Sequence, residues 1–465
     1  MSSIVVCGGG VIGLATALML GRDGHDVRLL ESDEEAPPAS TASAWSDWVR
    51  KGVPQFRQPH NLFPRFQQIV GTELPDITQR LLDSGCVWLD LLQSLPPAIT
   101  DRQPRDGDDR FRTLTGRRPV VEAAFARAAD AEPRVQVRRG TRATGYLTGP
   151  AVAPGAVHVT GVRTAKGEEL RSDLVIDAMG RRTPSVEWLS ALGARAPYVL
   201  SQAGGFAYYT RYYRGPVLPA PIGPALAALG SFSLLTIPGD SGTWSVTLFA
   251  ASSDAPLKAM RDAKVFSRVV DACPIHRHWL EGEVLSDVLP MAGVLDRYRR
   301  YVVKGAPVVT GLLPVGDAWA CTNPSAGRGL SVGLVHAQLL RDTVRAHDGD
   351  TGALAVEWDE ATERVVAPFF VNQRRADRAR IGEMDAARED RPAPLPDPAA
   401  AALLSAAMHD GDVFRALIET VACLALPEEV LARPEIAAKV ANLGGLGADA
   451  LPGPDRRQLM ALVVA

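Results

Sequence analysis

The chain has 465 residues, 46% hydrophobic and 22% charged, with 50 basic against 53 acidic side chains and a formal net charge of −3. A length near three times the roughly 150 residues of an ordinary domain suggests about three structural units, and this composition excludes a disordered, fibrous or membrane-spanning chain. The interspersed, nearly balanced charge offers no field to grip a phosphate backbone, which argues against a nucleic-acid partner.

The first elements are tightly spaced. Residues 4–7 form a short β-branched apolar run, 8–13 a glycine-rich turn, 14–21 an apolar helical pattern and 27–30 a second strand. Strand, turn, helix and strand within about 30 residues predict a parallel βαβ unit that opens a doubly wound sheet. Residues 4–20 are nearly uncharged but lack a basic flank and are interrupted by glycines, so no export signal is read there. Residues 31–65 are polar and rich in Pro and Gly, with Trp45, Trp48 and His60 among them, as expected of a long functional loop. Helical periodicity is predicted over 74–92 and 119–129, short strands over 135–162, and a buried strand over 174–178 closed by Gly180. Alternating runs at 205–213, 232–236 and 243–249 predict half-exposed antiparallel strands. Residues 307–315 read as one apolar strand, followed by a loop and a helix over about 329–344. The stretch RPAPLPDP at 391–398 reads as a linker before several short amphipathic helices.

Gly8, Gly10 and Gly13 have the GxGxxG spacing, in which the glycines allow a tight turn, close approach of backbone to a pyrophosphate, and helix–strand packing. Glu31 closes the second strand 18 residues after Gly13, where a carboxylate can accept hydrogen bonds from ribose hydroxyls. A distant segment, LLPVGDAWACTNPSAGRGLSVG at 312–333, places Gly316 and Asp317 at the end of an apolar strand. Together these resemble the FAD-dependent monooxygenases of the p-hydroxybenzoate hydroxylase fold. The resemblance runs from residue 1 to about 340 and is closest to the bacterial epoxidase-like branch related to squalene epoxidases. It implies an α/β fold: a GR2-type doubly wound FAD-binding domain (1–73, 103–183 and 290–390), an antiparallel-sheet substrate domain (74–102 and 184–289) and a C-terminal helical extension (391–465).

The resemblance also implies site residues. Val11 and Ile12 of the glycine turn, and Ser32 after Glu31, accompany the dinucleotide. Arg50, Gly52 and Val53, in RKGVPQFRQPH, match a stretch beside the flavin, although Gln58 stands where a His is usual. Arg118 matches an arginine that touches FAD. Asp317 would hold the ribityl and phosphate part, with Pro324, Gly327, Arg328, Gly329 and Leu330 along the ring. The strand GFAYYTRYYR at 205–214 resembles the pocket floor, making Tyr208, Thr210, Arg211 and Tyr212 pocket candidates; alternation puts 208, 210 and 212 on one face and 209, 211 and 213 on the other. One departure concerns DLVIDAMGRR at 173–182, where Met179 replaces the Asp usual before Gly180. In the hydroxylase branch that motif also serves NAD(P)H.

Other chemistries fit less well. His276 and His278 have no acidic or Cys cluster around them, the five cysteines lack CxxC spacing, no GxSxG elbow is present, and the WxWxIP motif of flavin halogenases is absent. The expectation is therefore a metal-free, cytoplasmic FAD monooxygenase acting with O2 on an apolar small molecule, by epoxidation or aromatic hydroxylation. Electrons would come from NAD(P)H directly or through a flavin reductase, the latter favoured by Met179. The alternatives are a flavin dehydrogenase or reductase of an isoprenoid-like substrate, and a non-catalytic flavoprotein module.

Overall fold

In the computed structural model, which describes residues 1–203, 205–347, 349–446 and 450–464, the amino end forms the strand Ser3–Cys7, the helix Val11–Arg22 and the strand Asp26–Leu30. The helix begins three residues before the periodic pattern because extended Gly10 caps it, so the last residues of the glycine turn are its first turn. Five parallel strands follow the order 312–314, 174–177, 3–7, 26–30 and 135–138. A parallel sheet needs cover on both faces. The helices Val11–Arg22, Arg118–Ala131 and Gly329–Ala346 bury Leu14, Leu18, Phe125 and Leu334 in one core. A smaller sheet contributes Tyr146, Val159, Val162 and Leu170 to the core on the other side.

The run 307–315 is not one strand. Val309–Thr310 pairs with Val157–Thr164 of the smaller sheet, whereas Leu312–Pro314 pairs with Leu174–Asp177. The switch occurs at Gly311, whose φ is 72° and where a Cβ would lie 2.1 Å from the Val159 carbonyl oxygen. The helix expected over 74–92 also stops early. It spans Pro75–Asp83 and yields at Gly85 (φ 82°) to the short strand Trp88–Asp90.

The second sheet is antiparallel and built from sequence neighbours, Phe206–Arg214 between Thr243–Ala251 and Leu289–Ala292, with Phe232–Pro238 and Leu226–Leu229 beyond. Its outer face packs Tyr209, Tyr213 and Trp244 against Phe266 and against Leu459 and Val463 of the last helix, Arg456–Val464. Its inner face packs Phe206, Tyr208, Leu235 and Phe249 against Met384 of a long helix, Ala367–Arg388, which no sequence motif marks. Residues 74–102, expected with this sheet, divide their contacts: Gly85 accepts from the Ser241 N–H in the turn after Phe232–Pro238, Ile77 and Leu81 join the core under the parallel sheet, and Leu92 and Ile99 pack with Leu403, Val413 and Phe414 of the C-terminal helices. Of the predicted 391–465 extension, residues 447–449 and 465 lie outside the described residues. The two sheets are joined by a buried ion pair. Arg117, immediately before the Arg118–Ala131 helix, donates to both carboxylate oxygens of Asp240 at 3.0 and 2.7 Å, and its own N–H adds a third bond at 2.9 Å. Among the described residues no helix is long and apolar enough to cross a membrane.

Candidate active site

A cavity of about 750 Å³ runs from the glycine turn to the inner face of the antiparallel sheet. At its first end the turn is shaped by sterics. Gly8 has φ 112°, and a Cβ on Gly13 would lie 1.9 Å from the Gly8 carbonyl oxygen. The first intrahelical bond is from the Leu14 N–H to Gly10, so the N–H groups of Val11, Ile12 and Gly13 precede the ladder and form the positive end of the helix at the cavity.

Beside that turn lies a buried charge cluster. Arg50, its side chain 4% exposed, reaches Glu31 at 2.6 Å, Asp33 at 3.1 Å and Glu122 at 2.6 Å, and donates to the Gly9 carbonyl at 3.2 Å. Arg118 donates to Glu122 at 2.8 Å and lies 3.3 Å from His60 Nε2. Burial and the Arg118 charge push the His60 pKa down to about 3, so the ring is neutral; its Nδ1–H donates to the Gln58 carbonyl at 2.9 Å and Nε2 accepts from Arg118. Glu31 is more heavily engaged than its position at the end of a strand suggests. It accepts from the Gly9 and Asp33 N–H groups, the Ser32 hydroxyl and Arg50. Four donors match the roughly four lone-pair sites of a carboxylate, so a ribose hydroxyl would share an oxygen with one of them.

The middle of the cavity is formed by the two strand ends that flank each other in the parallel sheet. Asp177 accepts from the Met179 N–H at 2.9 Å and from the Thr183 and Ser185 hydroxyls, which fixes the turn that brings Met179, Gly180 and Arg181 to the cavity. Opposite, Gly316 (φ 59°) donates to His336 Nδ1 at 3.0 Å. Burial pushes the Asp317 carboxyl up, opposed by the Arg118 and Arg181 charges. The loop after it, with Pro324, Gly327 and Arg328, enters the Gly329–Ala346 helix at the cavity wall.

The far end is of different character. Leu235, Ile237, Met291 and Val294 line it with Tyr208, Phe369 and Phe370. Its polar groups face one another: Tyr208 donates to Asn323 at 3.1 Å, Gln58 accepts from Thr210 at 3.1 Å, Thr210 and Thr247 share a bond of 2.9 Å, and Gln373 donates to Ser325 at 2.8 Å.

Every residue expected to hold FAD therefore lines this one cavity. The four strand candidates separate. Tyr208 lines the cavity. Thr210 is one layer back, behind Gln58 and Thr247. Tyr212 is buried against Trp45, ring centroids 4.6 Å apart. Arg211 is a correction: it lies on the opposite face, donating to the Ser286 carbonyl and over the Tyr213 ring, because successive strand residues alternate sides. Leu235, Ile237, Asn323, Ser325, Phe369, Phe370 and Gln373 escape the sequence reading. Alternation in 232–236 shows that Leu235 shares a face with Ser233 but not which face is inward, and nothing local marks the Ala367–Arg388 helix.

A sequence profile for the family described as FAD dependent oxidoreductase matches residues 3–105. Among curated proteins, Protein Rv3254 of Mycobacterium tuberculosis (strain ATCC 25618 / H37Rv) is 26% identical over 400 residues, covering 79% of this chain and 78% of the relative. Among solved structures, the Diels-Alderase PyrE3 of the pyrroindomycin biosynthetic pathway superposes with a TM-score of 0.60 at 18% identity, covering 91% of this chain and 80% of that one. The flavin-dependent brominase Bmp2 gives 0.58 at 16%, covering 94% and 98%. The anhydrotetracycline hydroxylase OxyS of Streptomyces rimosus gives 0.57 at 15%, covering 91% and 76%. With its parallel sheet, antiparallel second sheet and C-terminal helices, the chain has the FAD-binding fold of the flavoprotein monooxygenases of p-hydroxybenzoate hydroxylase type.

Proposed function

We propose that the protein is an FAD-dependent monooxygenase that transfers one oxygen atom of O2 to a neutral, mostly apolar small molecule, by alkene epoxidation or aromatic hydroxylation, in natural-product tailoring. The observation that carries this reading is the continuity of the cavity from an N–H-rich end, lined by Arg50, Lys51, Arg118, Arg142, Arg181 and Arg182 beside Glu31, to an uncharged aliphatic and aromatic end. The residues fit the cofactor. The helix start and Arg118 suit a pyrophosphate, Glu31 and Ser32 the ribose, Asp317 the ribityl chain, and residues 324–330 with 50–53 the ring. Bound FAD supplies, once reduced, the reaction with O2. The chain's own part is to exclude water and hold the substrate carbon in place. The far wall suits that task, since Tyr208, Asn323, Gln58, Thr210 and Thr247 hydrogen-bond among themselves and keep the wall's shape, while Leu235, Ile237 and Met291 supply apolar contact.

Asp317→Ala should lower FAD affinity about tenfold or more, the effect of losing a hydrogen bond to a charged group worth about 1.5–3 kcal/mol, while the apoprotein unfolds at a temperature no lower than the wild type's, since burial already disfavours this carboxylate. Equal FAD retention in a titration followed by flavin fluorescence would remove Asp317 from the site.

The electron source we propose is indirect. Met179 offers no carboxylate at the position where the hydroxylase branch contacts the nicotinamide, and the described glycine fingerprint is given to FAD. Anaerobic mixing should bleach the flavin slowly with NADPH or NADH alone and faster with a flavin reductase or with substrate. The function itself is tested by supplying isotopically labelled O2 with reduced flavin and a panel of alkenes and phenols. One labelled oxygen in the product is expected. Substrate oxidation without label would establish a dehydrogenase, and halogenated product in the presence of bromide or chloride a halogenase.

A further inference from the structure

The cavity loop 322–329 is backed by a polar cluster on the Ala367–Arg388 helix that the functional reading does not use. The Ser325 hydroxyl, at the cavity, donates to Asp377 Oδ1. Gln373, one turn earlier on the same helix, divides its two amide hydrogens between Ser325 Oγ at 2.8 Å and Asp377 Oδ1 at 3.0 Å. With Asp377 ionised, a flipped amide would turn its oxygen towards the carboxylate and lose both bonds, so Gln373 keeps this orientation, with its Oε1 buried and unpartnered. Ser325, Gln373 and Asp377 are 8%, 5% and 5% exposed. Asp377 Oδ2 is buried with no partner. An ionised carboxylate with one orphaned oxygen is costly to bury.

We infer that Ser325 and Asp377 form a protonation-dependent hydrogen-bond switch in the cavity wall, in which Asp377 is a positioning residue that sets whether Ser325 offers the cavity a donor or an acceptor. The inventory of the hydroxyl dictates this. Ser325 Oγ has one hydrogen and two lone pairs, and Gln373 takes one lone pair in either state. With Asp377 ionised, the hydroxyl hydrogen points to Oδ1, and the remaining lone pair is left for the cavity. With Asp377 protonated on Oδ1, that proton is donated to Ser325, and the serine hydrogen turns to the cavity. One proton is taken up by the carboxyl and no bond to carbon changes.

The surroundings place the switch near neutrality. Burial raises the Asp377 pKa to about 7, with the Asp296 carboxylate adding to the rise and the Ser325 and Gln373 bonds and the Arg328 charge opposing it. Asp296 lies on the Leu295–Arg300 strand and is itself paired with Arg374 of the same long helix at 3.5 Å. Tyr208, on the facing sheet, stays a phenol because burial and both carboxylates push its pKa up. The consequence for stability has a definite sign. Below the unfolded pKa both states are protonated. As pH rises towards about 7 the unfolded carboxyl ionises while the folded one does not, so the contribution to stability falls through that window and is flat above it.

This inference rests on the flavin reading only for its spectral readout. Two measurements on the 465-residue chain keep the two apart. The first compares unfolding of the wild type and Asp377→Asn, without cofactor, as a function of pH. The wild type should lose stability relative to the variant between about pH 4 and about pH 7; parallel curves would overturn the switch. The second follows the visible spectrum of bound FAD across neutral pH. A one-proton transition is expected in the wild type and is lost in both Asp377→Asn and Ser325→Ala. A transition that survives in Ser325→Ala, or is missing from flavin-loaded wild type, would also overturn it. Failure to bind FAD at all would instead refute the monooxygenase reading, and the first measurement would still decide the switch.

Discussion

Arg50→Ala is expected to destabilise the protein by about 3–5 kcal/mol, the cost of leaving buried charges without their partner, and to leave it unable to retain FAD. The guanidinium spends its nitrogens on Glu31, Asp33 and Glu122. Glu122 is fully buried and would keep Arg118, but Glu31 and Asp33 would lose their cation at the point where the glycine turn meets the second strand. Arg50→Lys should recover only part of the loss, since an ammonium cannot span three carboxylates in the way a planar fork does. Chemical denaturation of the three proteins without cofactor, followed by FAD titration of those that fold, checks both parts. An alanine variant of wild-type stability would mean that the cluster is held by the backbone and not by Arg50.

The second large effect is expected at Asp240. Removing this carboxylate leaves the Arg117 guanidinium, 2% exposed, buried with no acid beside it, again about 3–5 kcal/mol. Because the pair bridges the Arg118–Ala131 helix and the turn after Phe232–Pro238, the loss should fall on the contact between the two sheets. Asp240→Ala should therefore show two unfolding transitions, or protease cleavage between the sheets, where the wild type shows one. Asp240→Asn retains acceptors for the Arg117 N–H groups and should lie between them. A single transition at the wild-type temperature would show that packing alone joins the sheets.

The start of the fold is legible in the sequence because its signals are local. A strand, a glycine turn and a helix in succession leave little choice of geometry, and Gly8, Gly13 and Glu31 lie where that geometry requires. The Gly316–Asp317 turn is legible for the same reason. What the sequence hides is non-local. The run 307–315 has uniform hydropathy, and only the approach of the Val159 carbonyl to Gly311 shows that it serves two sheets. Alternation sorts the 206–214 strand into two faces but carries no sign, so Tyr208 and Arg211 both read as pocket candidates although they point apart. The Ala367–Arg388 helix is marked by no motif, yet it supplies Gln373 and Phe370 to the cavity.

The strand order of the parallel sheet sets a timetable for the nascent chain. Strand 174–177 sits between strands 3–7 and 312–314, so the first strand waits for a neighbour about 170 residues behind it, and the sheet is closed only when residue 314 has left the ribosome. At roughly 5–20 residues per second, the interval between residues 138 and 314 lasts about 10 to 35 s. The antiparallel sheet, made largely of sequence neighbours, can begin to form within that interval. One edge of the parallel sheet stays open throughout, first along Ile4, Val5 and Val6 and then, once 174–177 has docked, along Leu174, Val175 and Ile176. Expression at lower temperature or with a holdase chaperone should accordingly raise the soluble yield by protecting this apolar edge, and a fragment ending before residue 312 should aggregate even though it contains the whole glycine turn.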